Sequence, residues 1–320
     1  MDLSIVISSY NEAESLPELI QWIHRSLRTS DYLHGCSYEI ILVDDGSTDG
    51  SWEWIRQAAA ADTTLHAIRF RRNYGKSPAL HCGFEAATGE IVITMDADLQ
   101  DSPEEIPELV RMIREEGYDL VSGWKKKRYD NVLAKNIPSK IYNRTARKVT
   151  GLHLHDMNCG LKAYRNEVIK NIEVYGDMHR YIPYLAKNAG FSNITEKPVQ
   201  HQARKYGKSK FGMSRFVNGF LDLLTIWFLA GFGKKPMHIF GVCGTLSFLT
   251  GFVITLWIII DKVVSQAGGL KFRPVTDQPL FYLALVALII GTMLFLTGFL
   301  GELISRSNPN RNDYQIRERI

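Results

Sequence analysis

"IVITMDADLQD", Ile91–Asp101, decides how the chain is read. A β-favouring apolar run leads into three aspartates within six positions, Asp96, Asp98 and Asp101. Clustered carboxylates repel one another and lose hydration when a strand is buried. Something positive is therefore expected at the end of this strand. Alternate residues of an extended chain project the same way, so Asp96 and Asp98 can face one ligand. Oxygen-only ligation suits Mg²⁺ or Mn²⁺, which keeps waters and takes its other ligands from substrate phosphates.

Outward from this stretch, strand and helix signals alternate. "LSIVISSY", "YEIILVDD", "LHAIRF" and "DLVSGW" read as further strands. Between them lie helical segments: "LPELIQWIHRSL" with Pro17 near its start, and "DGSWEWIRQAAAA" with Asp49 as N-cap. "SPALHCGFEAAT" has Ser77 as N-cap, and "SPEEIPELVRMIREEG" is capped by Ser102. Such alternation predicts an α/β fold, a Rossmann-like, mainly parallel sheet with helices on both faces. Ligands then bind beyond the carboxyl ends of the strands, where Asp44, Asp45, Asp96 and Asp98 all fall.

Several motifs are decoys. "DGSTDGSWEWIR" begins like a calcium loop but has Arg56 where a bidentate Glu is needed. The two "GKS" tripeptides lack the first glycine of a phosphate-binding loop, since Phe70 and Gln202 stand there. Cys36, Cys82, Cys159 and Cys243 show no CxxC spacing, which argues against structural zinc and a disulfide framework. The net charge of +4 carries no aromatic-basic pattern, so no nucleic-acid partner is expected.

The 320 residues are 45% hydrophobic, but unevenly so. Ile239–Ile260 and Leu280–Leu300 are two uncharged apolar runs. At about 1.5 Å per residue the first spans roughly 33 Å, matching a bilayer core of about 30 Å. Lys234 and Lys235 precede the pair, and Arg306, Arg311, Arg317 and Arg319 follow it. This bias places both ends in the cytoplasm and the loop 261–279 outside. Met1 leads straight into the first strand with no basic n-region, so no signal peptide is expected. The predicted organisation is a cytoplasmic domain (1–210), interfacial amphipathic helices (211–236), two transmembrane helices (237–304) and a cytoplasmic basic tail (305–320). A domain-packing helix also accounts for residues 211–236.

"SSYNEAESL", "VDDGSTDGS", "MDADLQDSPEEIP" and "DMNCGLKAYR" resemble the successive motifs of inverting family-2 glycosyltransferases of the GT-A type. The nearer resemblance is to the polyprenyl-phosphate branch, which includes dolichol-phosphate mannose synthases and bacterial undecaprenyl-phosphate glucosyltransferases. It covers about residues 3–210, and more loosely the two-span tail. One departure is Ser9, where many relatives have Pro before the tyrosine; an extended backbone tolerates it.

The resemblance implies a membrane enzyme of the cell inner membrane. It would move a sugar from a UDP- or GDP-linked donor to polyprenyl (undecaprenyl) phosphate, with Mg²⁺ or Mn²⁺, as a homotetramer. Tyr10, Asn11, Glu12 and Asp44 would hold the nucleotide, Asp96 the nucleotide or a metal-bound water, and Asp98 the metal itself. Gln100 would face the acceptor, and Asp156 in "HDMNCG" would act there as base or positioner. The plainer alternative for Asn11 and Glu12 is a helix N-terminus, where acids also help.

Lys76, in "RRNYGKSPAL", stands where it could approach the donor phosphates. Lys125 to Arg128 are four consecutive cations, read either as a solvated loop or as a lure for lipid phosphate. Arg204, Lys208, Ser209 and Lys210 lie in a basic, glycine-punctuated stretch suited to gripping phosphates, while Arg180 in "DMHRYIP" is placed to line the acceptor entrance. Two alternatives stay open, a polysaccharide synthase and a non-catalytic membrane scaffold. The first is weakened by the lack of a QxxRW string, the second by the intact Asp-Ala-Asp.

Overall fold

A computed structural model describes residues 1–126, 147, 150–206, 236–269, 274–307, 314 and 316–319. The predicted interfacial helices, and Arg128, Lys208, Ser209 and Lys210 with them, lie outside the described residues. The chain divides into two compact units, 1–223 together with 311–320, and 224–310.

The first unit is built on an eight-stranded sheet. Its strands are β1 (Leu3–Ser9), β2 (Tyr38–Asp44), β3 (Leu65–Phe70), β4 (Ile91–Asp96), β5 (Leu120–Trp124), β6 (Lys162–Arg165), β7 (Ile194–Pro198) and β8 (Ile316–Arg319). They lie in the order β7-β5-β6-β4-β1-β2-β3-β8. β1 is central, and its Ile5, Val6 and Ile7 are fully buried. Parallel pairing joins β4, β1, β2 and β3. β6 runs antiparallel between β4 and β5.

Helices α1 (Leu16–Thr29), α2 (Ser51–Ala61), α3 (Lys76–Ala86) and α4 (Ile106–Arg114) follow β1, β2, β3 and β4 in turn, the last leading on to β5. On α1, Leu16, Leu19, Ile20, Ile23 and Leu27 recur at helical spacing and are buried together. Shorter helices α5 (Asn166–Lys170) and α6 (Ile182–Asn188) complete the unit.

Helix starts differ in detail from expectation. α3 begins at Lys76 with Gly75 as its cap, at φ 100°. Ser77 is therefore inside the helix, and its hydroxyl pairs instead with the ring of His179 at 3.0 Å. α2 is capped by Gly50, while the Asp49 carboxylate accepts from Ser51 N one step further on. Ser102 does cap as expected, accepting from Glu104 N.

The second unit is a helical hairpin, α7 (Pro236–Ala267) and α8 (Pro279–Ser307). Both helices are long and apolar enough to cross a membrane, and only 17% of each apolar window is buried. A soluble core helix would be mostly covered, so that explanation fails for both. Because α7 continues to Ala267, the link to α8 is shorter than the predicted loop 261–279. The helices meet through small residues: a Cβ on Gly291 would lie 2.5 Å from Phe248 N, and one on Gly244 2.7 Å from the Gly291 carbonyl. Ser247 Oγ donates across the seam to the Ala287 carbonyl at 2.9 Å. Close backbone approach of this kind is how apolar helices associate where hydrophobic burial supplies no drive.

Within the predicted basic tail, Ile316–Arg319 pair antiparallel with β3 and extend that edge of the sheet, with charged residues along the new edge.

Candidate active site

The chain order reverses at β1: β2 and β3 lie on one side and β4 on the other. A doubly wound sheet opens a crevice at such a switch point, beyond the carboxyl ends. The register fixes what lines it. Ser9 is level with Asp44, and Ser8 with Asp96. Tyr10–Glu12, Asp44–Asp45 and Asp96–Asp98 thus leave three adjacent strands side by side.

Beyond β1, Asn11 adopts φ 54°, a conformation that asparagine tolerates. Its amide donates to Ser47 Oγ at 2.9 Å, and its side-chain oxygen accepts from Thr48 N at 2.8 Å. Glu12 N donates to Ser51 Oγ at 3.0 Å. Asn11 therefore ties β1 to the turn after β2. Tyr10 is half-buried at the same strand end.

Asp44 is fully buried, accepts weakly from Ser47 N at 3.3 Å, and lies 3.5 Å from the Arg69 guanidinium. Burial raises its pKa against these partners. Asp45 takes a structural part that the sequence did not reveal. Its two oxygens accept from Tyr74 N at 2.6 Å and Gly75 N at 2.9 Å, holding the loop 71–75 over the crevice. Burial pushes its carboxyl up to about 6.

That loop delivers Lys76, the first residue of α3, whose ammonium pairs directly with Asp96 Oδ1. Burial resists charge on Asp96, yet the ammonium groups of Lys76, Lys125 and Lys162 outweigh it and hold its carboxyl well below the usual range. The Gly160 backbone packs against the same carboxylate: a Cβ there would lie 2.5 Å from Asp96 Cγ.

Asp98 behaves oppositely. Burial, reinforced by Asp96 and Asp101, pushes its carboxyl up to about 6. Among the described residues it accepts only a long bond from Gln100 N, at 3.2 Å. Leu99 between them is held at φ 60°, a strained conformation for a branched apolar residue and one often found at functional turns. Asp96 has its cation; Asp98 is the carboxylate that a cation would most stabilise. Among the described residues no three His, Cys, Asp or Glu side chains form a metal cluster. Two carboxylates, both oxygen donors, fit a magnesium-type ion that draws its remaining ligands from phosphate and water.

Asp101 is fully buried and lies 2.7 Å from Lys125 Nζ. Burial disfavours the Lys125 charge, but Asp101 more than compensates, so its pKa is raised. Lys125 is thus paired with Asp101 and mostly buried, its side chain 12% exposed. Lys126, at the end of the described part of that run, sits over the Trp124 ring.

On the opposite flank, Asn158 and Gly160 line a small pocket with Lys76, Asp96, Lys162 and His179. Asp156, in the same loop, is 2% exposed and accepts from Asn158 N at 3.2 Å. Lys162 is buried and donates to the Cys159 carbonyl. His179 and Arg180 occupy the turn Met178–Tyr181; burial, then Lys76 and Arg180, keep His179 neutral.

The stretch after β7 crosses the mouth of the crevice. His201 bridges to Asp101, and Gln202 N donates to the Gln100 carbonyl at 2.9 Å. Arg204 then reaches Glu12 at 2.5 Å, while Lys205 and Tyr206 both bond Glu18 on α1. The strands thus bring together Asn11, Glu12, Asp44, Lys76, Asp96, Asp98, Gln100 and Arg204.

Against known proteins, the profile described as "Glycosyl transferase family 2" matches residues 4–173. The chain belongs to glycosyl transferase family 2. It is 34% identical over 96% of its length, and 88% of the relative's, to a dodecaprenyl-phosphate galacturonate synthase of Rhizobium johnstonii. It is 38% identical, over 95% and 87% of the two chains, to an undecaprenyl-phosphate 4-deoxy-4-formamido-L-arabinose transferase of Shewanella sediminis. Among solved structures, glucosyl-3-phosphoglycerate synthase of Mycobacterium tuberculosis, in complex with Mn²⁺ and UDP, aligns with a TM-score of 0.54 at 20% identity, covering 72% of this chain and 79% of that one. A mannosyltransferase of Pyrobaculum calidifontis, bound to GDP-mannose and Mn²⁺, aligns at 0.50 with 16% identity over 96% and 76%. These two likenesses are of fold, and the fold is the one expected.

In this family-2 chain, Gly160 and Lys162 escaped the sequence reading, while Asp45 and Asp101 entered it only as strand-end carboxylates with no partner assigned. The partners of all four are brought near by folding.

Proposed function

We propose that the chain transfers a sugar from a nucleoside-diphosphate sugar to polyprenyl phosphate at the membrane surface, with inversion at the anomeric carbon. One observation carries this reading. Asp44, Asp96, Asp98 and Lys76 converge at the switch point of the sheet, in a chain that also holds two apolar helices of membrane-spanning length. The names of relatives that match nearly the whole chain point to the same acceptor class.

In this reading Asn11, Glu12 and Asp44 bind the nucleoside, with Tyr10 beside them. A Mg²⁺ or Mn²⁺ held by Asp98, and through water by Asp96, would offset diphosphate charge and ease departure of the nucleotide. Lys76 lies where it can neutralise the same phosphates. Arg204 offers a forked donor to an anion at the crevice mouth.

The attacking atom is a phosphate oxygen of the lipid. It forms the new bond to the anomeric carbon as the bond to the nucleotide phosphate breaks. That oxygen is already anionic near neutral pH, so no obligatory base is needed. Asp156, closed off from solvent and bonded to its own loop, is suited to positioning the acceptor with Arg180 and Gln100 rather than to removing a proton. The membrane helices hold reaction and headgroup together, and alignment of two bound reactants is worth roughly 7–11 kcal/mol in effective-molarity terms. The catalytic unit faces the cytoplasm, as the flanking lysines and arginines direct.

A panel of radiolabelled nucleotide-sugars, incubated with membranes holding the full chain and undecaprenyl phosphate, tests the reading. Label should enter the organic phase with one donor of the panel. Release of free sugar without lipid labelling would defeat the acceptor assignment.

A further inference from the structure

Lys76 is placed by a loop, and that loop is gripped from an unexpected quarter. Residues 71–75 join Phe70, the last residue of β3, to Lys76, the first of α3. Tyr314, just ahead of β8, touches both flanks. Its ring stacks on Phe70 with centroids 5.0 Å apart and planes 21° from parallel. Its hydroxyl donates to Glu85 Oε2 on α3 at 2.5 Å.

Phe70, fully buried, in turn meets Tyr74 edge-on at 5.7 Å. Tyr74 and Gly75 are the residues whose amides bond Asp45. Behind Tyr314, β8 pairs with β3 at Phe70, Arg69 and Ile68, with an irregularity at Phe70 itself. Stacked and edge-to-face rings fix orientation more tightly than aliphatic contacts do.

We propose that Tyr314 is a positioning residue for the donor site, clamping the strand before and the helix after the loop 71–75 so that Lys76 stays on Asp96. The role in donor binding rests on the proposed function; the clamp itself does not. The chain leaving the apolar hairpin thus reaches back to order a loop at the catalytic crevice.

Hydrogen exchange on the full-length protein in detergent, without any substrate, tests the clamp apart from the donor reading. In Tyr314→Ala, amides of 71–76 should exchange about tenfold faster while β1 and β4 are unaffected. Tyr314→Phe keeps the ring on Phe70 but removes the hydroxyl that donates to Glu85, and should speed the loop by about threefold. Glu85→Gln weakens the helix-side hold on an exposed residue, with no risk to the core, and should speed the loop by about threefold. In transfer assays, Tyr314→Ala should raise the donor KM about tenfold and leave the acceptor KM unchanged. Unchanged loop exchange in both Tyr314→Ala and Glu85→Gln overturns the clamp. Faster exchange with an unmoved donor KM overturns its role at the donor site.

Discussion

Arg204 bonds Glu12 at 2.5 Å, tying the stretch that follows β7 to the turn that follows β1. The two residues are far apart in sequence, and both stand at the mouth of the crevice. The pair is partly buried, with side chains 22% and 15% exposed. Under the proposed function, a diphosphate entering there would compete with Glu12 for the guanidinium.

Arg204 should therefore be felt in donor use. Arg204→Ala is expected to raise the donor KM by about ten- to a hundredfold, as loss of a charge-assisted contact does. Arg204→Lys should recover only part, because an ammonium lacks the fork. Steady-state kinetics at saturating lipid read this directly. A donor KM unmoved in both variants would remove Arg204 from the phosphate-binding set.

Asp98→Asn keeps shape and removes the anionic oxygen. Turnover should fall by about a hundredfold or more, and chelation of wild type should mimic it, with Mg²⁺ or Mn²⁺ restoring activity. The melting temperature without metal should not drop, since a buried carboxylate lifted to about 6 is not a stabilising charge at neutral pH. Full activity under chelation would sink the metal assignment.

Gly160→Ala offers a purely steric test. The added methyl would sit 2.5 Å from the Asp96 carboxyl carbon, so carboxylate or loop must shift. A misplacement of this size is expected to cost about tenfold or more in kcat/KM. Circular dichroism should report an intact fold. Wild-type kinetics in a folded Gly160→Ala protein would show that the fit against Asp96 is unimportant.

Asp45 predicts a pH signature. Burial lifts its carboxyl to about 6, above the usual carboxylate range, so the folded state binds the proton more tightly. The resulting stabilisation is fully present below about pH 4 and is lost as pH rises through about 6. Thermal melts in chelator between pH 4 and 8 should show this component in wild type and lack it in Asp45→Asn. Parallel curves for the two proteins would contradict it.

The legible part of this protein was the part with local periodicity. Apolar runs such as "IVITMD" and "EIILVD" are long enough to announce buried parallel strands, and charge-free runs beyond 20 residues announce the hairpin. β6, β7 and β8 were missed for a shared reason. "KAYR", "ITEKP" and "IRER" are short and polar, and their pairing partners are remote in sequence. The site divides the same way. Asp96 and Asp98 declare themselves by spacing, while Lys125 disappears into a run of cations until folding sets Asp101 beside it. Lys76 was expected near the donor phosphates from its position, whereas its bond to Asp96 depends on a loop geometry that Asp45 and Phe70 explain.

The strand β8 also sets an order of events during synthesis. Its partner β3 is made early, and β8 follows both apolar helices in the chain. The edge of the catalytic sheet beside Phe70 therefore stays open until the hairpin has been made, and closes only when the segment after the hairpin returns to it. Domains generally fold as units from the N-terminus during translation. Here the final unit of the sheet is withheld, so completion of the fold next to the Lys76 loop becomes a late step that follows synthesis of the hairpin.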